Sequence, residues 1–130
     1  MTNVATRDVQ SALESVFLSP TWQSTQIQVV PDDLPLYGEG IKYKILMSSK
    51  QFYYGGFGVT GHFIASVYTR AGRGPTRANE IIDLLTTHFQ GQTMDGNLHT
   101  GPSTLIDMGI DQDDPSLIRT DFRVSFNKFK

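Results

Sequence analysis

At 130 residues, with 38% hydrophobic side chains, 12 glycines and 6 prolines, the chain suits one loop-rich domain spanning residues 1–130. A domain of that size buries roughly two thirds of its unfolded surface. A formal charge of −2 argues against an overall electrostatic grip on nucleic acid or membrane, and the absence of cysteine removes disulfides, thiolate zinc sites and cysteine nucleophiles.

Residues 1–20 carry Arg7, Asp8 and Glu14 without an apolar run, so they do not read as a signal peptide. No window approaches the roughly 18 apolar residues of a membrane span, and the expectation is a soluble protein. Val9, Ala12, Leu13, Val16 and Phe17 recur at helical spacing and predict an N-terminal helix ending near Ser19-Pro20. Thr2, Asn3 or Thr6 are its candidate caps. From Trp22 to Gly40 the chain reads as irregular, broken by Pro31, Asp32-Asp33 and Pro35, with a short strand at Ile27 to Val30. Ile41, Tyr43, Ile45 and Met47 alternate with Lys42, Lys44 and Ser48, the pattern of a strand with one wet face.

Gln51 to Gly58 places Phe52, Tyr53, Tyr54 and Phe57 among glycines and reads as a turn or projecting hairpin. In the next strand Phe63, Ala65 and Val67 face one way and His62, Ile64, Ser66 and Tyr68 the other. Gly72, Gly74 and Pro75 form a corner before a second helix, whose stripe is Ala78, Ile81, Ile82, Leu85 and Phe89. A short strand around Asn97 to His99, another through Thr104, Ile106 and Met108, an acidic turn at Asp111 to Pro115 and a long strand from Ile118 to Phe126 complete the chain. This order predicts an α+β fold, two helices packed on one face of a mainly antiparallel sheet. The other face carries Lys42, Lys44, Arg119 and Arg123.

No motif assembles a catalytic or cofactor site. Gly56-Phe57-Gly58-Val59-Thr60-Gly61 matches G-x-G-x-x-G, but it precedes a strand, where no helix N-terminus would meet a pyrophosphate. The corner Gly72-Arg73-Gly74-Pro75-Thr76-Arg77 lacks the Lys-Ser/Thr pair of a phosphate-binding loop, and its arginines read as solvated or directed at a neighbouring subunit. His62, His88 and His99 show no metal-ligand spacing, and Asp111-Gln112-Asp113-Asp114 lacks the glycine and terminal glutamate of a calcium loop. The expectation is no enzyme, no cofactor and no metal. Two features suit contacts between proteins instead: the aromatics Tyr53, Tyr54 and Phe57, and separate charged clusters at Arg70, Arg73, Arg77 and at Asp111, Asp113, Asp114. From residues alone, an assembly subunit and a small ligand- or nucleic-acid-binding module both stay open.

The block Gly61, Phe63, Ala65, Val67-Tyr68, Gly72-Arg73-Gly74, Arg77-Ala78, Ile81-Ile82 and Phe89 resembles the tail terminator family of long-tailed bacteriophages. The order of elements follows that family from Asp8 to Phe126. Gln26 to Gly40 matches it loosely, and Gln51 to Gly58 is richer in aromatics than the family pattern. The resemblance implies a structural virion protein, assembled in the host cytoplasm. It would form a homo-oligomeric ring, usually a hexamer, on the head-proximal end of the tail tube. Its implied partners are the tube protein, the head–tail connector proteins and, in the ring lumen, passing DNA. A neck or tail-completion protein of related fold is the alternative within the same class.

Overall fold

The computed structural model of the chain describes residues 4–53, 56–73, 75–94 and 98–129. The helical spacing near the N-terminus becomes α1 (Val4–Leu18), with Val9, Ala12, Leu13 and Phe17 all buried. Ser19 then caps a single-turn helix, α2 (Pro20–Gln23), by accepting a hydrogen bond from the Trp22 amide at 3.3 Å. Four residues carry no periodicity to read, so this helix is absent from the sequence expectation. It nonetheless delivers the one tryptophan to the core.

Six strands follow: β1 (Val29–Pro31), β2 (Gly40–Tyr53), β3 (Gly56–Arg70), β4 (Thr93–Met94), β5 (Leu98–Ile110) and β6 (Leu117–Phe129). Their order in the sheet is β1-β2-β3-β6-β5-β4. A 3-10 turn at Ala71–Arg73 leads into α3 (Thr76–Phe89). Two helices on a mainly antiparallel sheet thus become, among the described residues, three α-helices and a mixed sheet, because β1 pairs parallel with β2. The two short strands expected at 97–99 and 104–108 are one strand, β5. A register shift between Thr100 and Ser103 accommodates Pro102, which has no N–H for the ladder.

Register explains the core. Ile41 pairs with Val67, Tyr43 with Ala65 and Ile45 with Phe63, while across β3 Phe63 pairs with Val124 and Ala65 with Phe122. Period-two alternation puts these side chains on one face, and they share a single buried cluster with the stripes of α1 and α3. Phe17 is its hub, with ring centroids 5.0 Å from Trp22, 5.4 Å from Tyr43, 6.0 Å from Phe63 and 5.3 Å from Phe89. Glycine is required at position 61 by close approach. A Cβ there would sit 2.1 Å from the Leu46 carbonyl oxygen and 2.7 Å from the Phe126 ring, beside the bulge between Met47 and Ser49.

Candidate functional site

The register separates the sequence-predicted contact residues into two ends. Tyr53 pairs with Gly56 and Phe52 with Phe57, so the aromatic run lies where β2 turns into β3. At the other end Gly40 pairs with Tyr68, Tyr68 with Arg119, and Arg70 with Leu117. β3 alone is 15 residues long, so at about 3.3 Å per residue the ends stand roughly 45 Å apart.

At the aromatic end, β2 and β3 form an antiparallel hairpin, in keeping with the expected turn or hairpin. The ladder continues through Gln51, Phe52 and Tyr53 and resumes at Gly56, so Tyr53 and Phe57 occupy strand positions. Tyr54 lies outside the described residues. Gly58 and Val59, further along β3, are buried. The G-x-G-x-x-G of residues 56–61 lies wholly in β3, paired with β2 throughout and with β6 from Gly58 on.

At the opposite end the two charged clusters are neighbours within one chain. The Ala71 amide donates to the Ser116 carbonyl at 2.8 Å, joining the arginine corner to the acidic turn. Arg70 is exposed, and its backbone N–H donates to Glu39 Oε2 at 2.8 Å. Arg77 forms an exposed i,i+3 ion pair with Glu80 at 3.2 Å, the kind of contact worth well under about 1 kcal/mol. The Arg73 side chain lies outside the described residues. The aspartates build their own turn: Asp111 Oδ2 accepts from the Asp114 amide at 3.1 Å, and Asp114 Oδ1 accepts from the Ser116 hydroxyl at 2.6 Å and amide at 3.1 Å. These bonds to Ser116, the hydroxyl first, hold the Asp114 carboxyl below the usual aspartate range. Asp113 is exposed. Asp111, Asp113 and Asp114 also border a cleft of about 230 Å³ with Lys42 and Tyr68, so the turn faces a cation of its own subunit. Two patches that read as separate in sequence form one end of mixed charge.

A shallow cleft of about 440 Å³ between α1 and β2 is lined by Gln10, Glu14, Asp32, Asp33, Tyr43 and Lys44, among others. Its most perturbed group ties helix to sheet: the Tyr43 hydroxyl donates to Glu14 Oε2. Burial, then this bond and the Glu14 and Asp33 charges, push the Tyr43 pKa well above the usual tyrosine range. A raised folded pKa means the stabilisation is complete below the unfolded value near 10 and is lost as pH rises through the folded value. The melting temperature is therefore expected to hold up to about pH 10 and fall above it. Tyr43→Phe should cost about 1 kcal/mol at neutral pH and flatten that alkaline fall. A melting series from pH 8 to 12 on both proteins checks it. Among the described residues no group of three His, Asp or Glu side chains is placed to hold a metal ion. No helix among them is long and apolar enough to cross a membrane.

No family model and no curated protein matches the chain. Solved structures do. A chain from the virion of a native gene transfer agent particle superposes with a TM-score of 0.68 at 16% identity, covering 93% of this chain and 94% of that one. A second solved chain superposes with a TM-score of 0.65 at 13% identity, covering 96% of each. At these identities the likeness establishes a shared fold over nearly the whole chain.

Proposed function

We propose that this protein is a structural component of a phage-like particle. Specifically, it is a ring-forming tail terminator that caps the head-proximal end of the tail tube, stops its polymerisation and offers the joint to the head connector. The observation that carries this is the near full-length fold shared with a chain of a gene transfer agent virion. The residue block from Gly61 to Phe89 supports the finer role. So does the fold's layout, with two chemically different ends at opposite limits of the long strands.

The aromatic end (Tyr53, Tyr54, Phe57) and the mixed-charge end (Arg70, Arg73, Arg77, Asp111, Asp113, Asp114) are then the two axial contact surfaces, one for the tube and one for the connector. Rim charges of both signs set register and encounter rate more than affinity. The sheet face opposite Phe63, Ala65 and Val67, with Lys42, Lys44, Arg119 and Arg123, is the surface offered to passing DNA. Its Arg119 is already held by Asp121 through bonds of 2.8 and 3.0 Å, so that contact is transient.

The test is tube length. Adding the protein during polymerisation of its tube protein should stop elongation at substoichiometric amounts. A neck protein of related fold would bind the connector and leave tube length unchanged.

A further inference from the structure

Among the described residues the sheet is unpaired along more than half of each edge strand, and the two bare stretches are complementary. On one side β1 pairs only with Ile41 to Tyr43, and the last backbone bond there runs from the Asp32 amide to the Tyr43 carbonyl. From Lys44 to the end of β2, no described strand pairs with the outer edge. On the other side β4 pairs only with Leu98 and His99, and the turn before it reaches Gly101 through a bond from the Gly91 amide. From Ser103 to Ile110 the outer edge of β5 has no described strand beside it. On that stretch Leu105, Ile106, Met108 and Ile110 are 54%, 40%, 50% and 64% exposed. They make up half of the large hydrophobic side chains exposed among the described residues; Leu46, on the bare stretch of β2, is another. An uncovered strand edge with apolar side chains pairs with another chain unless something blocks it.

We infer that the bare stretch of β5 pairs with the bare stretch of β2 in a second copy of this chain, and that this seam, repeated, closes the ring. The inference rests on the ring-forming reading above and supplies its lateral contact. β5 runs from the aromatic end towards the charged end and β2 runs the opposite way, so neighbours in the same orientation present antiparallel edges. The bare stretch lies towards the charged end on β5 and towards the aromatic end on β2, so the strands join with an offset. Such a stagger is what a closed sheet requires, and it tilts the strands relative to the ring axis. The contact is heterologous, one edge meeting a different edge, and therefore closes by rotation instead of stopping at two copies.

Composition favours this seam over the alternative of two β5 edges meeting about a two-fold axis. The bare stretch of β2 has Lys44 and Lys50 and no carboxylate, and that of β5 has Asp107 and no cation. Lys44 and Asp107 stand on opposite faces, so what separates the two seams is the aspartate itself: β2 sets no carboxylate beside it, whereas a β5–β5 pairing sets aspartate near aspartate. Leu46 pairs with His62 and Ile106 with Asp121, positions on the same face, opposite Phe63 and Phe122, so the two exposed side chains meet on one side of the joined sheet.

The chain has no cysteine, which makes cross-linking clean. Cysteine at Leu46 is combined in one chain with cysteine at Thr104, Ile106 or Met108 in turn, and the assembled protein is oxidised and run under denaturing conditions. At least one combination should give a ladder of covalent multimers ending at the ring number, while Ile106→Cys alone gives none. Ile106→Lys should weaken self-association about tenfold or more, with a melting temperature within about two degrees of the parent. Rings that form without any ladder, or dimers from Ile106→Cys alone, overturn the seam and leave the ring reading standing. A strict monomer, both free and on tubes, overturns both.

Discussion

Phe63→Ala is expected to cost roughly 3–5 kcal/mol, a large part of the stability of a domain this size. Phe63 has no exposed surface, and its ring lies 4.5 Å from Phe89, 5.9 Å from Tyr43 and 6.0 Å from Phe17. Those neighbours belong to α3, β2 and α1, so the cavity opens where both long helices meet the sheet and cannot collapse from one side. The melting temperature should drop by about 10–20 °C. Leu18→Ser is the control: Leu18 is 75% exposed at the end of α1, and its loss should stay within about 0.5 kcal/mol. Equal melts for Phe63→Ala and Leu18→Ser would refute the core described here.

Replacing Tyr53 and Tyr54 together by serine should have the opposite profile. The ladder reaches Tyr53↔Gly56 at the tip of the β2–β3 hairpin, where the contact reading seats both rings on a partner. The isolated domain should therefore melt within a few degrees of the parent. Attachment to the tail should weaken sharply, since aromatic anchors buried by a partner carry about 2 kcal/mol or more each. Two such losses together correspond to roughly a thousandfold in affinity. Heat denaturation and co-sedimentation with tubes separate the outcomes. A collapse in melting temperature would put the rings in the core, and normal attachment would remove the aromatic end from the contact surface.

What the sequence made legible follows from how each signal is encoded. The α3 stripe from Ala78 to Phe89 and the β3 alternation from His62 to Tyr68 are local periodicities, and both appear in the fold within elements of 14 and 15 residues. Helix α2 and strand β4 are four and two residues long, too short for a period to register, whereas the short strand expected at 27–30 appears as β1. The arginine corner and the acidic turn looked like separate patches because their adjacency depends on the β3–β6 register, which joins Arg70 to Leu117 across a long stretch of chain. Nothing in either segment encodes that pairing alone. The uncovered edge of β5 was half visible: Thr104, Ile106 and Met108 announce a strand. That Leu105 and Ile110 stay exposed follows from the three-dimensional extent of the strands and helices beside them.

The central claim is that this chain closes into a ring on the end of a tail tube. Electron microscopy of tubes assembled with the protein present, with averaging of the tube ends, measures it directly. The account predicts a single closed ring on one end of each tube, one subunit thick, with the long strands running between its two axial faces. Tubes with bare ends, or protein bound along their sides as isolated subunits, would contradict it.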